Sequence, residues 1–332
     1  MKTKTKNISQ WIADLLNPDT DSGNERAKYV QMFKNLLLGL FRFVIILGIS
    51  YVILGPLIGM VATSFFSDAD QYNPMVYLIP AEPSLARYSL AIIRMDYFNV
   101  LWKTIAYVLG LAAIQVFVCS MVGYGFARFK FPLKNLFFAC VIVMIVIPTH
   151  SIMLPLYMTF QSFDVLGLVT LIAGSPKNIL QTPWPMYIMS VFGTGLRSGL
   201  YIFIFTQFFR GLPKEIEEAA QVDGAGMFYT YFRIMLVNAI PSVVTVAIFS
   251  LVWQYNDTFY SNLFNLSADM IIGKKITTLQ ATLLNLDQIR DPSLSALYVN
   301  AGIVLVILPL VILYVLLQKQ FIEGVERSGI VG

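Results

Sequence analysis

Residues 104–127 read TIAYVLGLAAIQVFVCSMVGYGFA, a stretch without any Asp, Glu, Lys or Arg. A helix needs about 20 predominantly apolar residues to cross the roughly 30 Å hydrocarbon core of a bilayer. Because backbone amides in lipid must be hydrogen-bonded within the segment, a run of this length predicts a membrane-spanning helix. The run is contiguous rather than alternating, which argues against a transmembrane strand.

The composition of the whole chain agrees with this interpretation. Of its 332 residues, 57% are hydrophobic and 13% are charged, whereas a soluble domain carries about 25% charged residues. The net charge of +4 is spread in patches, so nucleic-acid binding has no support. Cys119 and Cys140 each lie inside an apolar run, and we interpret both as small core residues rather than as a disulfide framework.

Six apolar runs predict an all-α, polytopic membrane protein with six transmembrane helices. The runs cover residues 43–66, 104–127, 135–163, 184–209, 235–255 and 292–318. They define a transmembrane domain over residues 36–321, between an N-terminal tail at 1–35 and a C-terminal tail at 322–332. Arg197 interrupts the fourth run. The helix is expected to continue past it, because residues 196–209 alone would span only about 21 Å.

The distribution of Lys and Arg predicts the orientation. With six spans both termini lie on one side, and that side carries most of the 23 basic residues. Cytoplasmic flanks are enriched in Lys and Arg, so both termini are predicted to be cytoplasmic. The N-terminal tail places apolar side chains at helical spacing, which predicts an amphipathic helix on the membrane surface; a disordered tail is the alternative. These side chains are Ile8, Trp11, Ile12, Leu15 and Leu16.

A polar stretch between the fourth and fifth runs, EIEEAAQVDG at residues 215–224, predicts a short helix outside the membrane. Pro213 is expected at its first position, where a missing N–H costs nothing. Glu215 lies in the first turn, where the helix dipole favours an anion. Gly224 is expected to end the helix in the left-handed conformation. A second helix with an aromatic stripe from Phe228 onward would complete a cytoplasmic helix-turn-helix element.

This element resembles the EAA loop of bacterial ABC importer permeases. The family pattern is Glu-Ala-Ala, three residues, Gly, nine residues, Ile, one residue, Leu and Pro. The matching residues are Glu218, Ala219, Ala220, Gly224, Ile234 and Leu236, with Val237 in place of the final Pro. The resemblance implies that the element docks on an ATPase subunit. The contact residues that it implies are Glu217, Glu218, Ala219, Ala220, Asp223, Gly224, Ala225, Met227 and Phe228.

Further segments between residues 98 and 332 resemble the carbohydrate, maltose-type branch of these permeases. They are GYGFARFKF at 123–131, PLY at 155–157, FFRGLP at 208–213, WQYN at 253–256 and FIEGVERSGIVG at 321–332. The resemblance implies a second homologous permease, two cytoplasmic ATPase subunits that carry ATP and Mg, and an extracellular or periplasmic sugar-binding protein. This chain would itself bind no cofactor and would be surrounded by membrane lipid. The C-terminal tail would contact the ATPases through Glu323, Gly324, Ser328 and Gly329.

Two further regions are candidates for the transport path. An intramembrane charge by default faces water or a partner, so Arg197 is a candidate for lining a substrate cavity. Trp253 and Asn256, at the end of the fifth run, are further cavity candidates. His150 is the single histidine and lies beside Pro148, where packing or a vestibule position is expected. The long polar segment at residues 256–291 is predicted to lie outside and to face the binding protein.

The predicted function is that of a multi-pass permease subunit in the bacterial inner membrane, which moves a sugar or oligosaccharide inward by alternating access. The chain has no Gly-x-x-x-x-Gly-Lys-Ser/Thr phosphate loop, so it is not expected to be an enzyme. An ABC permease for amino acids or peptides is the main alternative. An ion-coupled secondary transporter would carry acidic residues in its spans, and none of the six runs has Asp or Glu. A non-transporting scaffold would not need the cytoplasmic element.

Overall fold

The computed structural model describes the backbone of residues 22–329 and the side chains of residues 28–319. The described chain is helical, with turns and one isolated β-bridge between Phe163 and Lys177. The all-α prediction is therefore confirmed. The apolar side chains of the predicted N-terminal amphipathic helix lie outside the described residues. The chain divides into two compact units, residues 1–62 and 63–332.

The first unit consists, where it is described, of one long helix. Helix α1, Ser22–Ser64, has 43 residues and contains Pro56. It includes the first predicted span, at residues 43–66. Because α1 begins at Ser22, the predicted boundary between tail and transmembrane domain at residue 35 falls inside a continuous helix.

The second unit contains two long helices and many shorter ones. They are α2 (Asp68–Gln71), α3 (Ala86–Met95), α4 (Tyr97–Arg128), α5 (Lys134–Val146), α6 (Met153–Gln161), α7 (Leu168–Ala173), α8 (Trp184–Val191), α9 (Ser198–Gly211), α10 (Glu215–Val222), α11 (Met227–Asn238), α12 (Ile240–Tyr255), α13 (Phe259–Leu263), α14 (Ile272–Leu286) and α15 (Pro292–Gly329). A 3₁₀ turn, Thr149–Ile152, precedes α6, and a π-helical turn, Thr230–Met235, lies inside α11.

Three helices of the described chain, α1, α4 and α15, are individually long and apolar enough to cross a membrane. Two bent pairs, α5 with α6 and α11 with α12, raise the number to five if each pair is one span, with bends of 105° and 77°. The first bend follows Ile147, which is extended at ψ 124° in front of Pro148. Proline disfavours the helical conformation in the residue before it. The count of six spans and the side on which the termini lie stay predictions.

The fourth predicted span, residues 184–209, is divided into two short helices. Helix α8 ends at Val191 and α9 begins at Ser198, and we call residues 192–197 between them the helix break. Gly193 and Arg197 take positive φ angles of 68° and 61° there. The expectation of a helix that continues past Arg197 is therefore not met. Helix α9 has 14 residues and a length of about 21 Å, less than the hydrocarbon thickness.

Helix α4 organises the core of the second unit, because it packs into both of its hydrophobic clusters. Its first half lies with side chains of α3, α8, α13, α14 and α15. Its second half lies with side chains of α5, α9, α11 and α12. At Gly123 an added Cβ would come within 2.6 Å of the Phe205 Cβ and 3.0 Å of the Thr206 backbone nitrogen. Glycine is therefore required for α4 and α9 to approach this closely.

One core residue differs from the sequence interpretation, and the structure adds a detail at the C-terminus. Cys119 is buried as expected, whereas Cys140 is exposed on α5 and is no core residue of this chain. Helix α15 has 38 residues and continues through the predicted C-terminal tail to Gly329. The tail backbone is therefore helical as far as Gly329.

Candidate functional site

The predicted coupling element, residues 215–238, comprises α10, a short turn and α11. Helix α10 begins at Glu215 with Lys214 as its N-cap, so Pro213 lies just before the helix rather than at its first position. Three carboxylates occupy the first turn, Glu215, Glu217 and Glu218. The positive end of the helix dipole stabilises negative charge there, which favours helix formation in a segment of only eight residues.

Gly224 ends α10 as the sequence predicted. Its φ angle is +80°, and two backbone hydrogen bonds close the turn. The Ala225 N–H donates to the Ala220 carbonyl at 2.9 Å, and the Gly224 N–H donates to the Gln221 carbonyl at 3.0 Å. This pair of bonds is the Schellman motif, which satisfies carbonyls that the helix end would leave unpaired. The direction in which the chain leaves α10 therefore depends on Gly224.

The nine predicted contact residues do not share one face. Ala220 is buried and Ala225 is half-buried. Glu217 points inward, toward Arg128. The remaining six are exposed, and they are Glu218, Ala219, Asp223, Gly224, Met227 and Phe228. The structure thus separates the residues that fasten the element to the protein from those that are available to a partner.

The π-helical turn in α11 sets which aromatic side chains are exposed. Tyr231 and Met235 are buried against the core, whereas Phe228 and Tyr229 are 69% and 60% exposed. Together with exposed neighbours they form what we call the inner apolar patch, which consists of Val222, Met227, Phe228 and Tyr229. Contiguous exposed apolar surface on a polar element marks an interaction site.

Glu217 forms an ion pair with Arg128, the last residue of α4. The Arg128 Nε atom lies 3.4 Å from the Glu217 Oε2 atom, and the two side chains are 6% and 13% exposed. The Arg128 Nη2 group also donates to the Leu212 carbonyl at 2.8 Å. Sequence reasoning placed Glu217 among the partner-facing residues and gave Arg128 no individual role. The available signal was that Arg128 ends the second predicted span and the acidic helix follows the fourth, so that both lie on the same predicted side of the membrane.

A buried amide lies between α4 and the helix break. The Gln115 side chain is fully buried; its Nε2 donates to the Leu196 carbonyl at 2.9 Å, and its Oε1 accepts from the Ser250 hydroxyl at 2.6 Å. The Gln254 Nε2 also donates to this Oε1, at 3.2 Å. The Leu196 carbonyl lies in the helix break, where no regular helical hydrogen bond is available to it. Gln115 supplies the donor instead. Sequence reasoning did not identify this residue.

The predicted cavity residues are partly brought together. The Arg197 guanidinium carbon lies 4.3 Å from the centroid of the Trp253 ring, a cation–π contact. Both side chains are exposed on the surface of the described chain. Asn256 lies one turn beyond Trp253, but its Nδ2 donates to the Val252 carbonyl at 2.9 Å. The structure therefore supports a pair, Arg197 with Trp253, rather than a trio.

A cavity of about 600 Å³ opens where α5 bends into α6. Its lining comprises His150, Met153, Thr258, Phe259, Asn262 and Leu263. The His150 and Phe259 rings meet edge to face with centroids 4.7 Å apart. The lining therefore combines a hydroxyl, an amide and an imidazole with an aromatic ring. His150 lines this cavity and packs against Phe259, and the vestibule position stays a prediction beside the packing role.

Several charges of the long polar segment at 256–291 are paired within the chain. Asp287 accepts from the Arg94 Nε at 2.9 Å, and Asp257 caps α13 by accepting from the Tyr260 and Ser261 amides at 3.2 and 3.0 Å. Burial raises the pKa of Asp257. These carboxylates therefore stabilise the segment itself. The structure describes side chains only as far as residue 319. The predicted C-terminal contact residues lie beyond that point, and they are Glu323, Gly324, Ser328 and Gly329.

Most of the residues described above lie within one protein-family match. Residues 115–327 match the family described as "Binding-protein-dependent transport system inner membrane component". The matched range includes Gln115, the Arg128–Glu217 pair, the coupling element and the helix break.

Two relatives align over most of their length. The arabinooligosaccharides transport system permease AraQ of Halalkalibacterium halodurans is 26% identical over 291 residues, which cover 86% of this chain and 93% of AraQ. The melibiose/raffinose/stachyose import permease MelC of Bacillus subtilis is 26% identical over 276 residues, or 82% and 90% of the two chains. A solved bacterial ABC transporter involved in the import of alginate contains a chain with the same fold. It superimposes with a TM-score of 0.68 at 17% identity and covers 87% of this chain and 98% of that chain.

Proposed function

We propose that this chain is the permease subunit of an ATP-driven importer for a sugar or oligosaccharide. The chain belongs to the family described as "Binding-protein-dependent transport system inner membrane component", and the proposal proceeds from that membership. The observation that carries the proposal is the exposed face of the coupling element. It presents the inner apolar patch beside Glu218 and Asp223. An apolar patch of this kind on a polar helix pair fits a protein partner, and the partner we propose is a cytoplasmic ATPase subunit.

The proposed assembly contains this chain, a second homologous permease, two ATPase subunits and an external sugar-binding protein. ATP binding closes the ATPase pair, and α10 passes the movement to α4 and α9. The cavity between the two permeases then opens outward and receives sugar from the binding protein, and hydrolysis resets the cycle. ATP and Mg reside on the partner subunits in this scheme. Both termini and the coupling element lie in the cytoplasm.

The sugar class rests on AraQ and MelC, whose names describe oligosaccharide transport. The cavity at His150 agrees with it, because aromatic faces and hydroxyl or amide groups bind sugar rings well. Amino acids and peptides are the competing substrates. A panel of melibiose, raffinose, arabinotriose, single amino acids and dipeptides, tested for stimulation of ATP hydrolysis with the external binding protein present, decides between the two. Stimulation by a dipeptide but by none of the sugars would replace the substrate class and leave the permease assignment intact.

A charge placed in the inner apolar patch tests the docking. Phe228→Asp should sharply reduce the amount of ATPase subunit that copurifies with this chain, because burying an unpaired carboxylate at an interface is costly. Leu286→Asp is the matched control, since Leu286 is 63% exposed at the far end of α14. Full retention of the ATPase subunit by Phe228→Asp would exclude the patch as the docking surface.

A further inference from the structure

One guanidinium group joins three elements next to the coupling element. Arg128 ends α4. Its Nη2 binds the Leu212 carbonyl directly after α9, and its Nε faces Glu217 in the first turn of α10. The ends of α4 and α9 and the start of α10 therefore meet at a single side chain. Without these contacts, the start of α10 would be tied to the end of α9 mainly by the short connection at residues 212–214.

The burial of this ion pair distinguishes it from an ordinary surface pair. Exposed ion pairs contribute little because water screens them. Arg128 and Glu217 are 6% and 13% exposed, so water cannot readily replace either partner. Removing one charge from a buried pair leaves the other without compensation. Helix α10 is therefore held in the position that keeps Glu217 against Arg128.

The second helix of the coupling element is fastened to α4 by different contacts. The Tyr231 hydroxyl of α11 is hydrogen-bonded to the Ser120 hydroxyl at 2.6 Å, and the Tyr231 and Tyr124 rings are 5.1 Å apart. Ser120 and Tyr124 precede Arg128 by two turns and one turn on α4. Tyr124 also interacts with the Glu217 side chain, so α4 holds α11 through Ser120 and Tyr124, and α10 through the Arg128 charge together with Tyr124.

We propose that the Arg128–Glu217 pair is the latch that transmits movement of α10 to α4 and α9. A force on the exposed face of α10 then moves the three helices together instead of bending residues 212–214. Glu217 and Glu218, neighbours in sequence, have separate roles: Glu217 faces inward to Arg128, and Glu218 faces outward to a partner. The identity of the partner that supplies the force rests on the proposed function, but the latch itself does not.

Hydrogen–deuterium exchange of the full-length chain, purified with the subunits that it retains, tests the latch without any knowledge of the sugar. The variants are Glu217→Gln, Arg128→Gln and the double variant. Glu215→Gln is the control, because it removes an equal charge from the same first turn at an exposed position. We expect the amides of residues 215–225 to exchange at least tenfold faster in both single variants. The double variant should exchange no faster than either single variant, because the two residues act through each other.

The location of the change separates a latch from a general structural role. Faster exchange confined to residues 215–225, with α4 and α9 unchanged and Glu215→Gln showing only the small acceleration expected from the loss of one first-turn charge, supports the latch. Faster exchange throughout α4 and α9, wild-type exchange in Glu217→Gln, or additive effects in the double variant would overturn it. If no ATPase subunit copurifies with the wild-type chain, the proposed function fails, while the exchange result still decides on the latch.

Discussion

The coupling element lies between two apolar runs and the helix break lies inside one, and the two regions depend on different interactions. Helix α10 is bounded by short-range signals, with three carboxylates in its first turn and Gly224 after its last. The helix break depends on Gln115, which is 81 residues away from the carbonyl it satisfies. The element is largely exposed, whereas the break is closed by fully buried polar groups.

This difference predicts how the two regions respond to substitution. A change on the exposed face of the coupling element should leave the fold intact and alter only what the element binds. A change at the break should destabilise the fold, because buried polar groups lose their partners.

Gln115→Leu should have the largest effect. It leaves the Leu196 carbonyl, the Ser250 hydroxyl and the Gln254 amide without their partner, and each such buried group costs about 1–3 kcal/mol. We expect a marked fall in the thermal unfolding temperature in detergent. Phe117→Leu, at an exposed position of the same helix, should unfold close to wild type. Equal unfolding temperatures for the two variants would remove the contrast between the regions.

Gly224→Asp should alter docking and leave the fold intact. No atom of this chain lies within 4 Å of a Cβ added at Gly224. The substitution therefore destabilises the fold only through the positive φ angle, which Asp and Asn tolerate better than most other residues. Gly224→Asn is the control for that cost. We expect stimulated ATP hydrolysis to fall about tenfold in the Asp variant relative to Asn, which corresponds to about 1.4 kcal/mol of activation free energy. Wild-type hydrolysis by Gly224→Asp would argue against a partner at this turn.

Deletion of residues 325–332 should have a smaller effect on the same docking. Helix α15 reaches Gly329, so the deletion shortens the end of a helix and leaves the predicted span at 292–318 complete. Membrane insertion should be unchanged, and ATPase retention should weaken about threefold. Full retention of the ATPase subunit with wild-type stimulated hydrolysis would show that the tail is a chain end without a docking role.

Single cysteines should cause the smallest disturbance and should define the side of the membrane. Thr278→Cys and Glu218→Cys are both at exposed positions, and Cys140, which is exposed, is first replaced by Ala. We expect Thr278→Cys to react with an impermeant thiol reagent added outside. Glu218→Cys should react only after the membrane is opened. The opposite pattern would invert the predicted orientation.

The inner apolar patch shows how far pattern reasoning extends and where it ends. The sequence placed Phe228 and Tyr229 on one stripe of a second helix, and α11 is present over that region. The π-helical turn at Thr230–Met235 then decides that Tyr231 and Met235 are buried while Phe228 is exposed. A π turn adds a residue to a helical turn and shifts every later side chain around the axis. No spacing rule for a regular helix contains that shift.

The sequence alone determined the all-α membrane class, the extent of the apolar runs and the short helix that ends at Gly224. Each of these depends on hydrophobicity over about 20 residues or on capping within one turn, so the necessary information is local. Tertiary structure alone decided that Glu217 faces Arg128, that Gln115 closes the helix break and that α9 begins after Arg197. Gln115, for example, bonds to residues that are 81 to 139 positions away in sequence, because a buried polar group bonds to whichever partner the packed helices bring near it.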